Sequence, residues 1–175
     1  MVWLACLFLI LLAGLCVLGR GLWEPDELRF AEIVQRMHGF GDLFVLRLWG
    51  RVYFEKPPLF FWLVRAAATL TGGVGLPALL VPVVLSACLG VWLTSRIATR
   101  WFGNRTGMLA VLLLVSLPLF LMMTLIGRMD MLLAVSITAA VYSLYQGYVE
   151  GDRWARVAQG APVNSNVEGP RRTAA

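Results

Sequence analysis

Three short stretches gather the side chains best placed to do chemistry. Glu24, Asp26 and Glu27 stand beside Arg29, Glu55 and Lys56 precede Pro57-Pro58, and Asp130 follows Arg128 between two apolar runs. Lys56 is the single lysine against fourteen arginines. A carboxylate can serve as general base toward a hydroxyl, and a lysine can hold a phosphate as a point charge. Two separated carboxylates can divide the roles of base and metal ligand. Aromatic side chains run between the first two stretches: Trp23, Phe30, Phe40, Phe44, Trp49, Tyr53 and Phe54. Carboxylates, one lysine and aromatic rings at a lipid interface suit work on an anionic, lipid-borne substrate.

Each residue also has a plainer role open to it. Asp26 can cap a helix, Glu55 and Lys56 can be a solvated pair at the headgroups, and Asp130 can be the N-cap of a following helix. Arg128 reads as a snorkelling residue at a span end, Tyr53 and Trp62 as interfacial anchors, and His38 as a surface residue rather than a ligand.

The elements that must position these residues are set by composition. The 175 residues are 59% hydrophobic and 14% charged, with mean hydropathy +0.77. A soluble domain carries about a quarter charged residues. Charge-free stretches cover 1–19, 66–95, 106–127 and 131–149, each able to cross ~30 Å of hydrocarbon as roughly 20 helical residues. A soluble enzyme, a nucleic-acid-binding module and a disordered protein are excluded; no basic patch interleaved with exposed aromatics accompanies the net charge of +5, so no nucleic acid is expected. The sequence predicts an all-α, multi-spanning membrane protein with about four transmembrane helices, near 2–19, 75–95, 107–127 and 131–149. The first is expected to be a retained span rather than a cleaved signal. Cys6, Cys16 and Cys88 lie within apolar stretches and read as packing residues.

Segment 20–56 holds six cations and six acids and is too aromatic to be a disordered linker. Within it Phe30, Ile33, Val34 and Met37 recur at i, i+3, i+4 and i+7, the apolar face of a helix over 26–38 lying on the bilayer surface. Glu32 and Arg36 form an i,i+4 pair on its other face, with Pro25-Asp26 as a start and Gly39-Phe40-Gly41 as a stop. Residues 57–71 predict a second helix of about 22 Å, too short to span, opening on prolines and closing at Gly72-Gly73. Four domains are therefore expected: transmembrane helix 1 (1–19), a loop with two juxtamembrane helices and the site residues (20–73), transmembrane helices 2–4 (74–149), and a polar disordered tail (150–175). With four spans, parity puts segment 20–73 and the Arg128–Asp130 turn on one side of the membrane, and loop 96–105 with both termini on the other. The positive-inside rule leaves absolute orientation open, because raw cation count and the compact Arg96–Arg105 cluster point opposite ways.

The strings W-E-P-D-E-L-R-F-A-E-I at 23–33, Y-F-E-K-P-P-L-F-F-W-L at 53–63 and R-M-D-M at 128–131 together resemble the aminoarabinose transferase and protein O-mannosyltransferase group of integral-membrane glycosyltransferases. The resemblance covers roughly residues 20–149. It implies the N-terminal part of a GT-C fold and inverting sugar transfer from a polyprenyl-phosphate donor to a lipid, protein or glycan acceptor. By that resemblance Asp26 is the catalytic base, with Asp130 as the second catalytic carboxylate. Glu55 contacts a divalent metal, zinc or similar, and Lys56, Arg29, Tyr53 and Glu27 bind substrate. No nucleotide cofactor is expected, and no phosphate-binding glycine loop is present. The resemblance also implies a bacterial-type inner membrane and an extracytoplasmic first loop. Phe30 replaces a tyrosine common in the family, and Leu43 follows Asp42 where a tryptophan is common. Family members continue with many more spans, so the expectation is a truncated or split product, inactive alone, with a second chain as the candidate that completes the site. The alternatives are a non-catalytic membrane subunit and a transporter or channel; charges confined to span ends and loops disfavour the latter.

Overall fold

The structure, a computed structural model, describes residues 1–158 apart from Glu24 and His38; the side chains of Phe40 and of 149–158 also fall outside that description. The roles read for Glu24 and His38, and the polar tail beyond Ala158, therefore lie outside the described residues. The chain divides into two compact units, Met1–Thr138 and the remainder from Ala139.

The helical membrane class holds. Helix α1 (Val2–Gly19) and helix α5 (Leu76–Phe102) are each long and apolar enough to cross a membrane. In the apolar window of α5, 67% of residues are buried inside the protein, against 11% for α1. α5 is thus the central post, packed by α1, by α4 (Leu59–Thr71) and by α6 (Asn104–Ser116). Its Leu79, Val83, Ala87 and Val91 are fully buried.

Three expectations about the spans need correction. The expected loop 96–105 is largely helical: α5 runs on through Arg96 and Arg100 to Phe102, and the chain turns at Gly103, whose φ is +90°. Only glycine takes such a backbone without strain. The expected span 107–127 is not one straight helix. α6 stops at Ser116, α7 (Pro118–Leu125) follows, and the axis bends by 63°. Pro118 supplies no N–H and pushes the preceding Leu117 to extended backbone (φ −70°, ψ 120°). The expected last span, 131–149, falls in α8 (Asp130–Ala158), which runs past 149; of the four expected spans, α1, α5 and, counted together, the bent pair α6–α7 are long and apolar enough among the described residues.

The polar segment folds as a layer of short elements: α2 (Asp26–Gln35), α3 (Phe40–Phe44), the antiparallel pair β1 (Arg47–Leu48) and β2 (Arg51–Val52), then α4. α2 ends at Gln35, short of the expected 38, but Phe30, Ile33 and Val34 on its predicted face, and Met37 just beyond it, are all buried. Its partner differs: the face meets protein rather than lipid. Phe30 stands edge-on to Phe60 and Phe61 of α4, with ring centroids 5.8 and 5.5 Å apart, the geometry aromatic quadrupoles favour. The Glu32–Arg36 pair forms. α4 is as short as expected and ends at Gly72, in the left-handed conformation (φ +81°) that suits a helix C-terminus. The Trp62 indole N–H donates to the Leu43 carbonyl at 2.7 Å, and its ring stands edge-on to Phe44, so it packs within the layer.

The hairpin was not foreseen. Its two-residue turn puts Trp49 at φ +50° and Gly50 at φ +83°, the positive-φ pair a tight hairpin turn requires. Asn or Gly ordinarily supplies the first position, so Trp-Gly carries little local signal. The Tyr53 N–H donating to the Leu46 carbonyl (2.8 Å) closes the hairpin onto buried Leu46.

Candidate functional site

Asp26 and Asp130 are each the first residue of a helix, α2 and α8, and lie 104 positions apart in sequence. Acidic residues are favoured in a first turn by the helix dipole. Tertiary structure then brings both to one guanidinium. Arg128 Nε lies 3.4 Å from Asp26 Oδ2 and 3.1 Å from Asp130 Oδ2. Arg128 is therefore an ion-pair bridge and not a snorkelling end. Asp26 is also not the N-cap of α2: Pro25 holds that position, and no side-chain cap bond forms there.

Glu27, one residue on, points the other way and is 1% exposed. Arg20, just past α1, grips it with two parallel bonds, Nη1 to Oε2 at 2.8 Å and Nη2 to Oε1 at 2.9 Å. The backbone N–H of Trp23 donates to Oε2 (2.6 Å), and that of Gly127 to Oε1 (2.7 Å). Four donors fill the acceptor capacity of a carboxylate. The expectation that Glu27 binds substrate is thereby corrected, since no lone pair is left for a sugar hydroxyl. Burial pushes the Glu27 carboxyl up, but the bonds from Arg20, Gly127 and Trp23 outweigh it and hold the group below its ordinary value. Arg20 also donates to the Leu125 carbonyl (2.6 Å) and covers the Trp23 ring at 5.2 Å. The pair thus ties the ends of α1 and α7 to the start of α2. Gly127 must be glycine for this approach: a Cβ there would lie 2.8 Å from Leu79 Cβ.

Tyr53, Glu55 and Lys56 leave the hairpin together and line an open cleft of about 450 Å³ with Phe44, Leu46, Phe54 and Pro57. Tyr53 stands edge-on to Phe61 (6.3 Å), so it packs within the layer. Burial first, then the neighbouring Glu55 and Asp26 carboxylates, raise the Tyr53 phenol above its ordinary value, while Arg29 opposes them. Asp26 and Arg29 are thus within electrostatic reach of the hydroxyl that Glu55 lies beside. Asp26 and Asp130 thus meet at Arg128, Tyr53, Glu55 and Lys56 line one cleft, and Asp26 and Arg29 act electrostatically on the Tyr53 phenol; Glu27 serves the scaffold. Arg20, Gly127 and the bridging role of Arg128 had no local signal beyond a cation at a span end and a glycine before it.

The metal expectation meets a thin donor set. Among the described residues no three His, Cys, Asp or Glu side chains converge on a point; Asp26 and Asp130 face Arg128, and Glu55 lies beside the Tyr53 hydroxyl. These residues do not by themselves fit a metal ion, and no chemical step is derived through one.

Comparison with known proteins places the arrangement. The chain is 35% identical over 133 residues to the undecaprenyl phosphate-alpha-4-amino-4-deoxy-L-arabinose arabinosyl transferase of Edwardsiella ictaluri, covering 74% of this chain and 23% of that protein. It is 32% identical over 159 residues to the transferase of the same name from Aeromonas salmonicida, covering 89% and 28%. The crystal structure of ArnT from Cupriavidus metallidurans bound to undecaprenyl phosphate superposes with a TM-score of 0.70 at 31% identity, over 78% of this chain and 25% of that one. The chain spans about a quarter of the length of these relatives. The loop layer and bent span above are thus part of a GT-C architecture, and, with residues 55–161 matching the dolichyl-phosphate-mannose-protein mannosyltransferase profile, the chain belongs to that family of membrane glycosyltransferases.

Proposed function

We propose that this chain carries the donor-side residues of a glycosyltransferase that moves a sugar from a polyprenyl phosphate to a lipid, protein or glycan acceptor. The observation that carries this reading is the gathering of Asp26, Arg29, Tyr53, Glu55, Arg128 and Asp130 from three distant segments, beside a cleft containing Lys56. Relatives named for undecaprenyl-phosphate aminoarabinose transfer, one solved with undecaprenyl phosphate, support the donor class. In this reading an acceptor oxygen bonds to the anomeric carbon, and Asp26 accepts its proton where that oxygen carries one. The bond from that carbon to the phosphate oxygen breaks, and Lys56 stabilises the charge growing on the lipid phosphate. Attack opposite the leaving group inverts the centre. Arg29 and Tyr53 orient the phosphate and sugar, and Asp130 is the second carboxylate. Glu55 is the residue that would contact a divalent ion, were one bound with ligands supplied from elsewhere. The first loop faces away from the cytoplasm of a bacterial-type inner membrane, where the lipid-linked donor is presented.

The test is transfer from undecaprenyl-phosphate-linked aminoarabinose to lipid A, measured in membranes holding the chain. Asp26→Asn removes turnover while membrane insertion persists, and Lys56→Met weakens capture of undecaprenyl phosphate. Full turnover by Asp26→Asn takes that residue out of the role. A second reading, a non-catalytic subunit completed by a partner chain, draws on the thin metal-donor set; it predicts no turnover by the purified chain and turnover once a co-purifying partner is present.

A further inference from the structure

Two adjacent residues of α2 meet two adjacent residues of the turn before α8, in register. Glu27 accepts the Gly127 N–H at 2.7 Å, and Asp26 faces Arg128, its Oδ2 3.4 Å from Nε. The first contact is buried and lies beside Leu79; the second is half-exposed and continues to Asp130 at 3.1 Å. The turn has little freedom to drift, because the Arg128 N–H donates to the Ile126 carbonyl at 2.7 Å and Arg20 holds the Leu125 carbonyl at 2.6 Å. Two carboxylates carried by different helices repel each other when brought close. Here a single planar guanidinium lies between them, and arginine keeps its charge at any working pH. A catalytic carboxylate must be held to within about half an ångström by groups that are themselves locked.

We propose that Arg128 is a positioning residue of the two-carboxylate site. It sets Asp26 and Asp130 against one guanidinium, and the Glu27–Gly127 bond one residue back fixes the register. The inference rests on the glycosyltransferase reading. Arg128 acts through Asp26, the group that meets the acceptor, and makes no bond to the reacting atoms. Its loss therefore slows the chemical step more than it weakens donor binding.

The experiment has two readouts on the same preparations of the full chain in its membranes. Carbodiimide footprinting with mass spectrometry reads the carboxylates directly, with Glu32 and Asp42 as internal references. In Arg128→Gln, labelling of Asp26 and Asp130 rises at least threefold; in Arg128→Lys, which keeps the charge but not the Nε that both carboxylates approach, it rises less. Kinetics, normalised to folded protein, use undecaprenyl-phosphate-linked aminoarabinose with lipid A. Arg128→Gln lowers kcat at least tenfold with KM for the donor within twofold, and Arg128→Lys recovers most of the loss. Unchanged labelling in Arg128→Gln overturns the proposal whatever the rates show. Increased labelling with unchanged kcat, or with the whole effect in KM, leaves a bridge without a positioning role and also overturns it. Kinetics are read on the chain together with any partner chain that co-purifies with it; turnover by Asp26→Asn, or none by that wild-type preparation, sinks the transferase reading and the positioning role with it, and increased labelling then shows that the reading failed, not the bridge.

Discussion

Replacing Glu27 tests the reasoning most severely, because sequence alone placed this residue among the substrate contacts while the structure makes it a scaffold. Each of its oxygens accepts one Arg20 N–H and one backbone N–H, from Trp23 or Gly127, at 2.6–2.9 Å. In Glu27→Gln one oxygen becomes an NH₂ facing two donors, and Arg20, 20% exposed, loses its counter-charge. Removing one partner of a buried ion pair costs about 3–5 kcal/mol, and hydrogen bonds to charged groups are worth about 1.5–3 kcal/mol each. Residual hydration of Arg20 draws the expected value to the lower end, about 3 kcal/mol. For a chain of this size that lowers Tm by roughly 6–12 °C, at about 2–4 °C per kcal/mol. The assay is thermal unfolding of the detergent-solubilised chain followed by tryptophan fluorescence, as a double-mutant cycle with Arg20→Met. Arg20→Met should cost much less in the Glu27→Gln background than in wild type, since the unpaired charge leaves with it. The pH dependence has a fixed sign. Because the native carboxyl is held below 4.5, its contribution is whole above that value and disappears as pH falls through the lower native value; Glu27→Gln flattens this acid limb. A Tm within 2 °C of wild type, or equal costs of Arg20→Met in both backgrounds, would refute the scaffold role.

Gly127→Ala places a Cβ 2.8 Å from Leu79 Cβ and 3.4 Å from Glu27 Oε1; overpacking of this kind costs about 1–3 kcal/mol, read as a lower Tm, and an unchanged Tm would show that α5 and the turn are not in close contact. Gly107→Ala drives a Cβ into Thr99 Oγ1, so it should loosen the α5–α6 packing, and Thr99→Ala in the same chain should restore most of the stability. Spectrophotometric titration should find the Tyr53 phenol ionising above 10.0, with Glu55→Gln moving it down. Any stability from the neutral phenol is then present below that pH and lost as pH rises through the native value. Ionisation at the ordinary value would separate Tyr53 from the carboxylates.

Much of the local structure was legible because it is written in neighbouring residues. The i, i+3, i+4, i+7 run of Phe30 to Met37 requires a helix with one apolar face, and Gly72 after an apolar run marks an end. The same pattern does not say what covers the face, because lipid and protein offer the same transfer energy to Phe30. Only α4, with Phe60 and Phe61 in place, decides that. The bend at Pro118 was open to inspection, since proline before an apolar run is a local signal; hydropathy averaged over the segment hides it. The Trp49-Gly50 turn had no such signal, because tryptophan rarely occupies a positive φ.

The sequence by itself determined the class of the protein, the faces of its short helices and, through the motifs around Asp26, Lys56 and Asp130, its family. Those properties follow from composition, period and strings of neighbouring residues. Tertiary structure decided which charges meet. Asp26 and Glu27 are adjacent and chemically alike, yet one faces Arg128 at a half-exposed site and the other is sealed under Arg20 and Gly127. Successive residues on a helix point about 100° apart, so a neighbour in sequence enters a different environment. Arg20 and Trp23 reach Glu27 from its own neighbourhood, but Arg128 for Asp26 and Gly127 for Glu27 come from a turn about a hundred residues away, which no local pattern encodes.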